Sequence, residues 1–391
     1  MRNFEQVQQY MQRERIDSWL VYDFRGNNPI FAQLIPGRRN TTRRVVLHIP
    51  ARGEPTLLVH GLDAGQFSSL AINKQNYLGW RDLHAWLQTS LAGRVAMEYA
   101  PGATLPVVSI VDAGTVELVR SVGVEVVSSA NLIQVSVATW SAEAVERHMV
   151  ASRKVNQIKD DAFAFIGERI RAAGRAAEIE VQQFMHRRFE GENLEWPDGP
   201  IVGVNAHSGD PHYEPTAATS ANIQRGDWIL IDLWARQPGE ENIFSDITWV
   251  GFAGEKPSDK HVRVFDAVKA ARDASVHAAQ KAWADKRSIQ GWQLDDAARE
   301  QIIAVGFGEF IKHRTGHSLS PGPKVHGLGM NLDNTETHDT REMLPGIGYT
   351  IEPGIYLPEF GVRLEINMFV DPQRGPIVTS QVQSEIIRVA V

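Results

Sequence analysis

The sequence predicts an α+β protein of two domains, a smaller α/β domain followed by a larger one built on a curved antiparallel sheet. In the first third of the chain, apolar strand patterns alternate with helical patterns. A long charged segment with apolar residues at helical spacing follows. In the last part, short apolar runs return and carry acidic residues at interior positions. The length of 391 residues also favours more than one domain.

The first domain is predicted to contain a helix over residues 3–15 and a partly parallel sheet with helices on its faces. Gly, Asn and Pro separate the apolar runs that indicate its strands. These runs cover residues 18–24, 44–50, 55–60, 94–99 and 123–129. We place the domain boundary near residues 140–155, which gives domains of residues 1–150 and 151–391.

The second domain is predicted to begin with a long helical stretch from about residue 141 to 189, with Ser141 in a position typical of an N-cap. Short strands follow it. An amphipathic helix is expected over about 258–286 and a second helix near 293–305. The final strands surround the segments YTIEP and GVRLEINMFV. This order predicts an antiparallel sheet that carries polar residues on its concave face.

Composition excludes several classes of function. The net charge of −7 argues against a nucleic-acid or anionic-membrane partner. The absence of cysteine excludes disulfide scaffolds, thiolate metal sites and a cysteine nucleophile. The charged N-terminal segment lacks the apolar core of a signal peptide, and no apolar run has the length needed to span a bilayer. The sequence therefore predicts a cytoplasmic protein.

Five residues of ligand type are spread along the C-terminal half, each in an apolar or Gly-rich segment. They are Asp232, Asp246, His317, Glu352 and Glu365. A carboxylate beside a buried strand is costly to desolvate unless a cation or hydrogen bonds compensate it. Four carboxylates with one imidazole suit two hard divalent ions better than one structural zinc.

The local sequence around these residues favours a shared cleft. Asp232 and Asp246 lie on neighbouring strand patterns joined by a hairpin-like turn. Gly316 permits a close backbone approach beside the candidate histidine. Arg363 and Glu365 share one strand face by period-two alternation, so the guanidinium is positioned to hold a ligating carboxylate.

Several motifs resemble those of the metal-dependent pita-bread peptidase family, which includes Xaa-Pro aminopeptidase, prolidase and methionine aminopeptidase, with creatinase as a metal-free relative. The motifs are His212-Tyr213-Glu214-Pro215, Ile231-Asp232, Ser245-Asp246-Ile247-Thr248, Thr315-Gly316-His317, Ile351-Glu352-Pro353-Gly354 and Val362-Arg363-Leu364-Glu365. The resemblance covers nearly the whole chain. The two-domain layout is similar to the proline-specific and creatinase branch, whose N-terminal domain is creatinase-like.

The resemblance implies roles for the ligand residues. Asp246 and Glu365 would bridge two divalent metal ions, with Asp232 completing one site and His317 and Glu352 the other. Mn2+ is the expected ion, and Co2+ and Zn2+ are the alternatives. The catalytic residues implied are His212, His326, Glu352 and Arg363. Glu352 would double as the general base, and the two histidines would contact the substrate.

The activity implied is hydrolysis of the peptide bond between an N-terminal residue and proline, with Xaa-Pro dipeptides favoured over longer peptides. A creatinase-like C–N hydrolase and an inactive peptide-binding homologue remain as alternatives. The expected partner is a small peptide with proline at its second position, and the expected assembly is a homodimer.

The chain departs from the family pattern at three places. Ile243 and Trp249 stand where the family often has Tyr and Arg, and Gly327 stands where an acidic residue normally follows the second histidine. The turn between the two aspartates is longer than usual. The segment from His317 to His326 is also longer and contains two prolines, which stiffen it and are expected to reshape the substrate pocket.

Overall fold

The computed structural model describes residues 4–37 and 39–391. The chain divides into two compact units, Met1–Val137 and Ala138–Val391. The predicted boundary at residue 150 lies within a helix of the second unit, Ala142–Ala173. Within the described ranges, no helix combines the length and the apolar character needed to cross a membrane.

The first unit is built on a six-stranded sheet of mixed direction. Its strands are β1 (Ser18–Phe24), β2 (Arg44–Pro50), β3 (Thr56–His60), β4 (Asn73–Tyr77), β5 (Arg94–Met97) and β6 (Glu125–Ser128). They lie in the order β4-β3-β2-β1-β5-β6. The pairs β1–β2 and β2–β3 are antiparallel, whereas β3–β4, β1–β5 and β5–β6 are parallel. The partly parallel sheet predicted from the sequence is therefore present.

The helices of the first unit are short, and two of them begin at a polar side-chain cap. They are α1 (Glu5–Arg13), α2 (Pro29–Leu34), α3 (Trp80–Ser90), α4 (Ala113–Arg120) and α5 (Ala130–Ile133). The Asn28 side chain accepts from two backbone N–H groups at the start of α2, and Asp112 caps α4 in the same way. Residue 3, where we predicted the first helix to begin, lies outside the described residues.

A buried carboxyl group links several elements of the first unit. Glu98 accepts hydrogen bonds from Trp19 Nε1 at 2.7 Å, Asn28 Nδ2 at 2.9 Å and Ser129 Oγ at 3.1 Å. These partners are all neutral. Burial therefore dominates and raises the pKa of Glu98 to about 7.

The second unit contains two long helices and two of moderate length. They are α6 (Ala142–Ala173), α7 (Glu178–Gly191), α8 (Asp259–Ala284) and α9 (Gly291–Ala304). Ser141 Oγ accepts from the backbone N–H of Ala144 at 3.1 Å and caps α6. Gly174 ends α6 in the left-handed conformation, with φ of 74°. The helical stretch predicted over 141–189 is therefore two helices.

The strands of the second unit are short and mostly antiparallel. They are β7 (Ala176–Ala177), β8 (Ile201–Val204), β9 (Asn222–Ile223), β10 (Trp228–Ala235), β11 (Ser245–Ala253), β12 (Ser318–Leu319), β13 (Gly348–Ile351), β14 (Gly354–Tyr356), β15 (Gly361–Arg363), β16 (Ile366–Asp371), β17 (Gly375–Val378) and β18 (Ile387–Val389). The larger sheets have the orders β18-β11-β10-β8 and β12-β13-β16-β17. The predicted α+β class is confirmed, with the antiparallel sheet divided into these two parts.

The two faces of the β10–β11 pair have different neighbours. Ile229, Ile231 and Leu233 pack in the apolar core with α6 and α7. Trp228 and Leu230, on the opposite face, pack in the core formed with α8 and α9. Asp232 continues the second series by period-two alternation, so it lies on the face away from α6.

Candidate metal centre

The pairing of β10 with β11 places two aspartates on one face of the sheet. Asp232 is opposite Thr248, and Trp234 is opposite Asp246. Positions two residues apart on a strand share a face, so both carboxylates project to the same side. Both residues are buried, with 6% and 4% of their surface exposed.

The remaining ligand candidates come from segments that pass close to these strands. Gly316 lies against the backbone of β13, where an added Cβ would be 2.1 Å from Thr350 O, so only glycine fits before His317. The backbone N–H of Glu365 donates to Thr248 O at 3.1 Å. The backbone N–H of Glu352 donates to Thr315 O at 2.7 Å.

These segments converge on one cluster. Single ligand atoms of Asp246, His317 and Glu365 all lie within 4.8 Å of one another, and all three residues are buried. Nε2 of His317 lies 3.4 Å from Asp246 Oδ2 and 3.4 Å from Glu352 Oε1. Asp232 lies outside this closest group and is tied to it through Arg363. The structure thus brings the predicted ligand residues into one region.

The His317 ring is arranged to act as a neutral ligand. Nδ1 lies 3.2 Å from Ser318 O, which suits donation from Nδ1 and leaves the lone pair on Nε2. Burial, followed by the nearby Arg314 cation, lowers the pKa of His317 to about 3. The contacts with the two carboxylates are therefore not ion pairs of a charged imidazole.

The buried carboxylates have unmet hydrogen-bonding capacity. Among the described residues, Asp232 Oδ1, Asp246 Oδ1 and Glu365 Oε1 have no hydrogen-bond partner. Burial, reinforced by the neighbouring carboxylates, raises the pKa of Asp246 and of Glu365 well above the usual values. Burial also raises the pKa of Asp232. Cations at this cluster would satisfy these oxygens, so the residues present fit a metal centre.

Arg363 and Thr248 connect the carboxylates by hydrogen bonds. Nη2 of Arg363 donates to Asp232 Oδ2, and Nε donates to Thr248 Oγ1 at 3.0 Å. Thr248 Oγ1 donates in turn to Glu365 Oε2 at 2.8 Å. Nη1 of Arg363 donates to the hydroxyl of Tyr356 at 2.9 Å. The guanidinium holds Asp232 directly and Glu365 through the threonine.

Two other polar side chains orient the ligands, and our sequence reasoning did not identify them. Thr350 Oγ1 accepts from the backbone N–H of His317 at 2.9 Å and donates to Glu352 Oε1 at 3.0 Å. Asn367 Oδ1 accepts from the backbone N–H of Asp246 at 3.0 Å. Thr248 was also missed as a functional residue. Thr248 lies two positions from Asp246 on β11, a spacing that marks a shared strand face, and Thr350 lies two positions before Glu352, which follows the end of β13.

The two histidines predicted to contact substrate are both exposed. The His326 and His317 ring centroids are 3.9 Å apart, and the neighbouring His317 is the main cause that lowers the pKa of His326. The backbone N–H of His212 donates to Asp210 Oδ1 at 3.0 Å. The carbonyl of the preceding Pro211 lies 3.5 Å from Arg363 Nη1, which places this loop beside the carboxylate cluster.

A buried glutamate holds the loop that carries His212. Glu178, at the start of α7, accepts from Val204 N at 2.8 Å, His207 Nδ1 at 2.9 Å, Tyr213 OH at 2.6 Å and Ala221 N at 2.7 Å. Its side chain is fully buried. Tyr213, which belongs to the same motif as His212, therefore directs its hydroxyl to Glu178.

The structure gives local reasons for the residues that depart from the family pattern. Ile243 is fully buried in an apolar cluster with Trp140, Phe244 and other residues. Nζ of Lys159 lies 3.5 Å from the centroid of the Trp249 ring, a cation–π contact. An added Cβ at Gly327 would lie 2.2 Å from Ser320 Oγ, so a side chain in this position would collide with the loop.

The profile of metallopeptidase family M24 matches residues 151–372, more than half of the chain. The chain belongs to this family. Membership in it, predicted above from the motifs, is confirmed. The matched region contains all of the candidate ligand residues.

Two curated relatives agree with this assignment, and a solved structure shares the fold. The chain is 30% identical over 190 residues to an Xaa-Pro dipeptidase of Lactobacillus helveticus, covering 48% of this chain and 44% of that protein. It is 28% identical over 226 residues to an Xaa-Pro dipeptidase of Pyrococcus horikoshii, covering 58% and 59%. The alignments thus span about half the length of these relatives. The structure of dipeptidase PepE from Mycobacterium ulcerans covers 99% of this chain and 96% of its own, with a TM-score of 0.68 and 21% identity, and shows a shared fold.

Proposed function

We propose that this chain is a dinuclear metallopeptidase that hydrolyses the peptide bond between an N-terminal residue and proline, with Xaa-Pro dipeptides as the favoured substrates. The observation that carries the proposal is the set of three buried carboxylate oxygens that lack a partner among the described residues, beside a neutral imidazole. Such a set is costly in a folded protein unless cations occupy it.

The proposed ligand set is the one expected from the sequence. Asp246 and Glu365 are the proposed shared ligands, and each has an oxygen without a partner in the described structure. Asp232 completes one site, and His317 with Glu352 completes the other. Mn2+ is the proposed ion because oxygen-rich ligand sets suit hard divalent cations.

When bound, the two ions would activate a water molecule as a nucleophile and stabilise negative charge on the substrate oxygen. The protein supplies the proton acceptor. Glu352 is the candidate because 14% of its side chain is exposed, whereas that of Asp246 is 5% exposed. The hydrogen bond from Thr350 to Oε1 keeps this carboxylate oriented while it takes the proton.

Other side chains would orient the substrate. His212 and His326 are exposed at the edge of the cluster, where an imidazole N–H can donate to the substrate carbonyl oxygen. Arg363 would act by holding Asp232 and, through Thr248, Glu365.

The preference for proline is supported by the names of the relatives, two of which are Xaa-Pro dipeptidases. A bond before proline is a tertiary amide without N–H, so an enzyme for it must recognise the ring by shape. Aminopeptidase action on longer peptides is the main alternative within this proposal. We also propose a homodimer, which sedimentation velocity would test.

The decisive experiment is a substrate panel with metal analysis. Protein treated with chelator and reloaded with Mn2+ is assayed with Ala-Pro, Leu-Pro, Ala-Pro-Ala, Ala-Ala and creatine, and its metal content is measured by mass spectrometry. We expect about two ions per chain and turnover of the dipeptides that end in proline. Faster cleavage of Ala-Pro-Ala would indicate an aminopeptidase. Metal-independent turnover of creatine, or no cleavage of any Xaa-Pro peptide with any divalent ion, would contradict the proposal.

A further inference from the structure

The turn after β10, residues 236–244, is in direct contact with the segment from His317 to His326. Both segments are longer than is usual in the family pattern that the sequence resembles. The N–H of Gly322 donates to Glu240 O at 2.7 Å, and Gly322 O accepts from Arg236 Nη1 at 2.6 Å. Both hydrogen-bonding groups of one residue in the histidine segment are therefore held by the turn.

Arg236 is the centre of this contact. Only 5% of its surface is exposed, and Nη1 also donates to Asn242 O at 3.3 Å. Its guanidinium lies over the Phe244 ring, 4.5 Å from the centroid. Nε donates to Glu195 Oε2 at 3.3 Å, but the Glu195 side chain is 47% exposed. The buried guanidinium therefore donates mainly to backbone carbonyls, those of Asn242 and Gly322. These hydrogen bonds link two loops, and the side chain does not act mainly as one member of an ion pair.

The held segment leads directly to His326. Further contacts secure its ends, since Trp140 Nε1 donates to Leu319 O at 2.7 Å and Gly327 N donates to Ser318 O at 2.8 Å. Between them, the Arg236 contact fixes the middle of the segment at Gly322. A displacement of Gly322 would move His326 from its present position, in which its ring is tilted against the His317 ring with the two centroids 3.9 Å apart.

We propose that Arg236 is a positioning residue, which acts through the Ser320–His326 segment to place His326 over the metal centre. The inference rests on the proposed function and adds to it a residue outside the cluster. The described contacts of Arg236 include none of the ligand residues, so its removal should leave metal binding intact. A loop linked in this way lets the β10–β11 turn influence turnover without touching a ligand.

The first test measures loop order by hydrogen exchange and needs no substrate. In R236M, which keeps an apolar side chain over Phe244 but removes the donors, we expect amides of residues 320–328 to exchange at least tenfold faster. Arg272→Met is the matched control, because Arg272 is also buried and donates to a carbonyl, Gln383 O, at 2.8 Å. It should leave the exchange of this segment unchanged.

The second test is a double-mutant cycle with His326. We expect R236M to lower kcat on Ala-Pro at least tenfold with an unchanged metal content, and to lower it less than threefold in an H326A background, because both changes remove the same interaction. R236K keeps one charged donor and should give intermediate exchange and kcat. If R236M does not fold, R236K alone decides, since it should still accelerate exchange in residues 320–328.

The outcomes separate this inference from the proposed function. Unchanged hydrogen exchange in both Arg236 variants would overturn the inference. It would also be overturned if the fold-reductions of kcat caused by R236M and by H326A simply multiplied in the double variant. A wild-type protein that binds metal but cleaves no Xaa-Pro peptide would overturn the proposed function, while the exchange measurement would still decide whether Arg236 holds the segment.

Discussion

Replacing Asp246 by Asn should make the metal-free protein more stable while abolishing its response to metal. A ligand atom of Asp246 lies within 4.8 Å of one on Glu365. Two charges at that separation repel by about 3 kcal/mol at an effective dielectric constant of about 20. Protonation of one carboxyl in the metal-free protein already relieves part of this repulsion. We therefore expect a net gain of about 1–3 kcal/mol from the substitution.

The measurement is thermal unfolding of chelator-treated protein, with and without Mn2+. For a unit of this size, about 1 kcal/mol shifts the midpoint by about 2–4 °C, so D246N should unfold about 5 °C above the wild type. Mn2+ at about 100 times its dissociation constant should stabilise the wild type by about 2.7 kcal/mol and leave D246N unchanged.

The matched control is another buried aspartate with its hydrogen bonds satisfied. Asp339 accepts from Nε of Arg341 at 3.0 and 3.1 Å. Substitution by Asn breaks a buried charge pair and should cost about 3–5 kcal/mol. If D246N were destabilised as D339N is, or if Mn2+ stabilised D246N as it does the wild type, the carboxylate cluster would not be a metal centre of the kind described.

Three further predictions concern the surroundings of the site and the first unit. Glu178→Ala removes the acceptor shared by four donors and should lower stability by about 3–5 kcal/mol, with faster hydrogen exchange in residues 204–221. Gly316→Ala should reduce metal affinity at least tenfold, because its Cβ would displace β13 at Thr350 O; a titration with unchanged affinity would contradict the steric argument. Glu98 has a raised pKa of about 7, so its stabilising contribution is greatest below about pH 4.5 and is lost as the pH rises to about 7. The stability difference between E98Q and the wild type should therefore change by about 2.5 kcal/mol in favour of E98Q between pH 5 and 8, and a difference independent of pH would show that Glu98 titrates normally.

The candidate ligand residues were accessible from sequence because a carboxylate within an apolar strand, as in Asp232 and Asp246, is unusual and needs compensation. The residues that orient them were harder to find. Hydroxyl and amide side chains such as Thr350 and Asn367 occur in every kind of segment, so only their contacts distinguish them. The same applies to Arg236, whose partner Gly322 is 86 positions away.

Strand prediction failed where the local pattern was weak. The residues of β4, NKQNY, are mostly polar and exposed, and the strand lies at the sheet edge, paired only with β3 among the described strands. Its conformation comes from that pairing and not from burial, so hydrophobic alternation does not reveal it. Gly316 was informative, because it marks a close backbone approach, whereas Gly174, which ends α6, lay unrecognised within the helical stretch predicted over 141–189.

The ladder between β10 and β11 has a consequence for how such a protein can be altered. Because strand pairing sets the offset between Asp232 and Asp246, their separation does not depend on the residues 236–244 that connect them. The connection can be lengthened or rewritten without moving either ligand. Under the proposed function, exchanging that turn together with its contact at Gly322 would change the surroundings of His326, while Asp232 and Asp246 keep their separation.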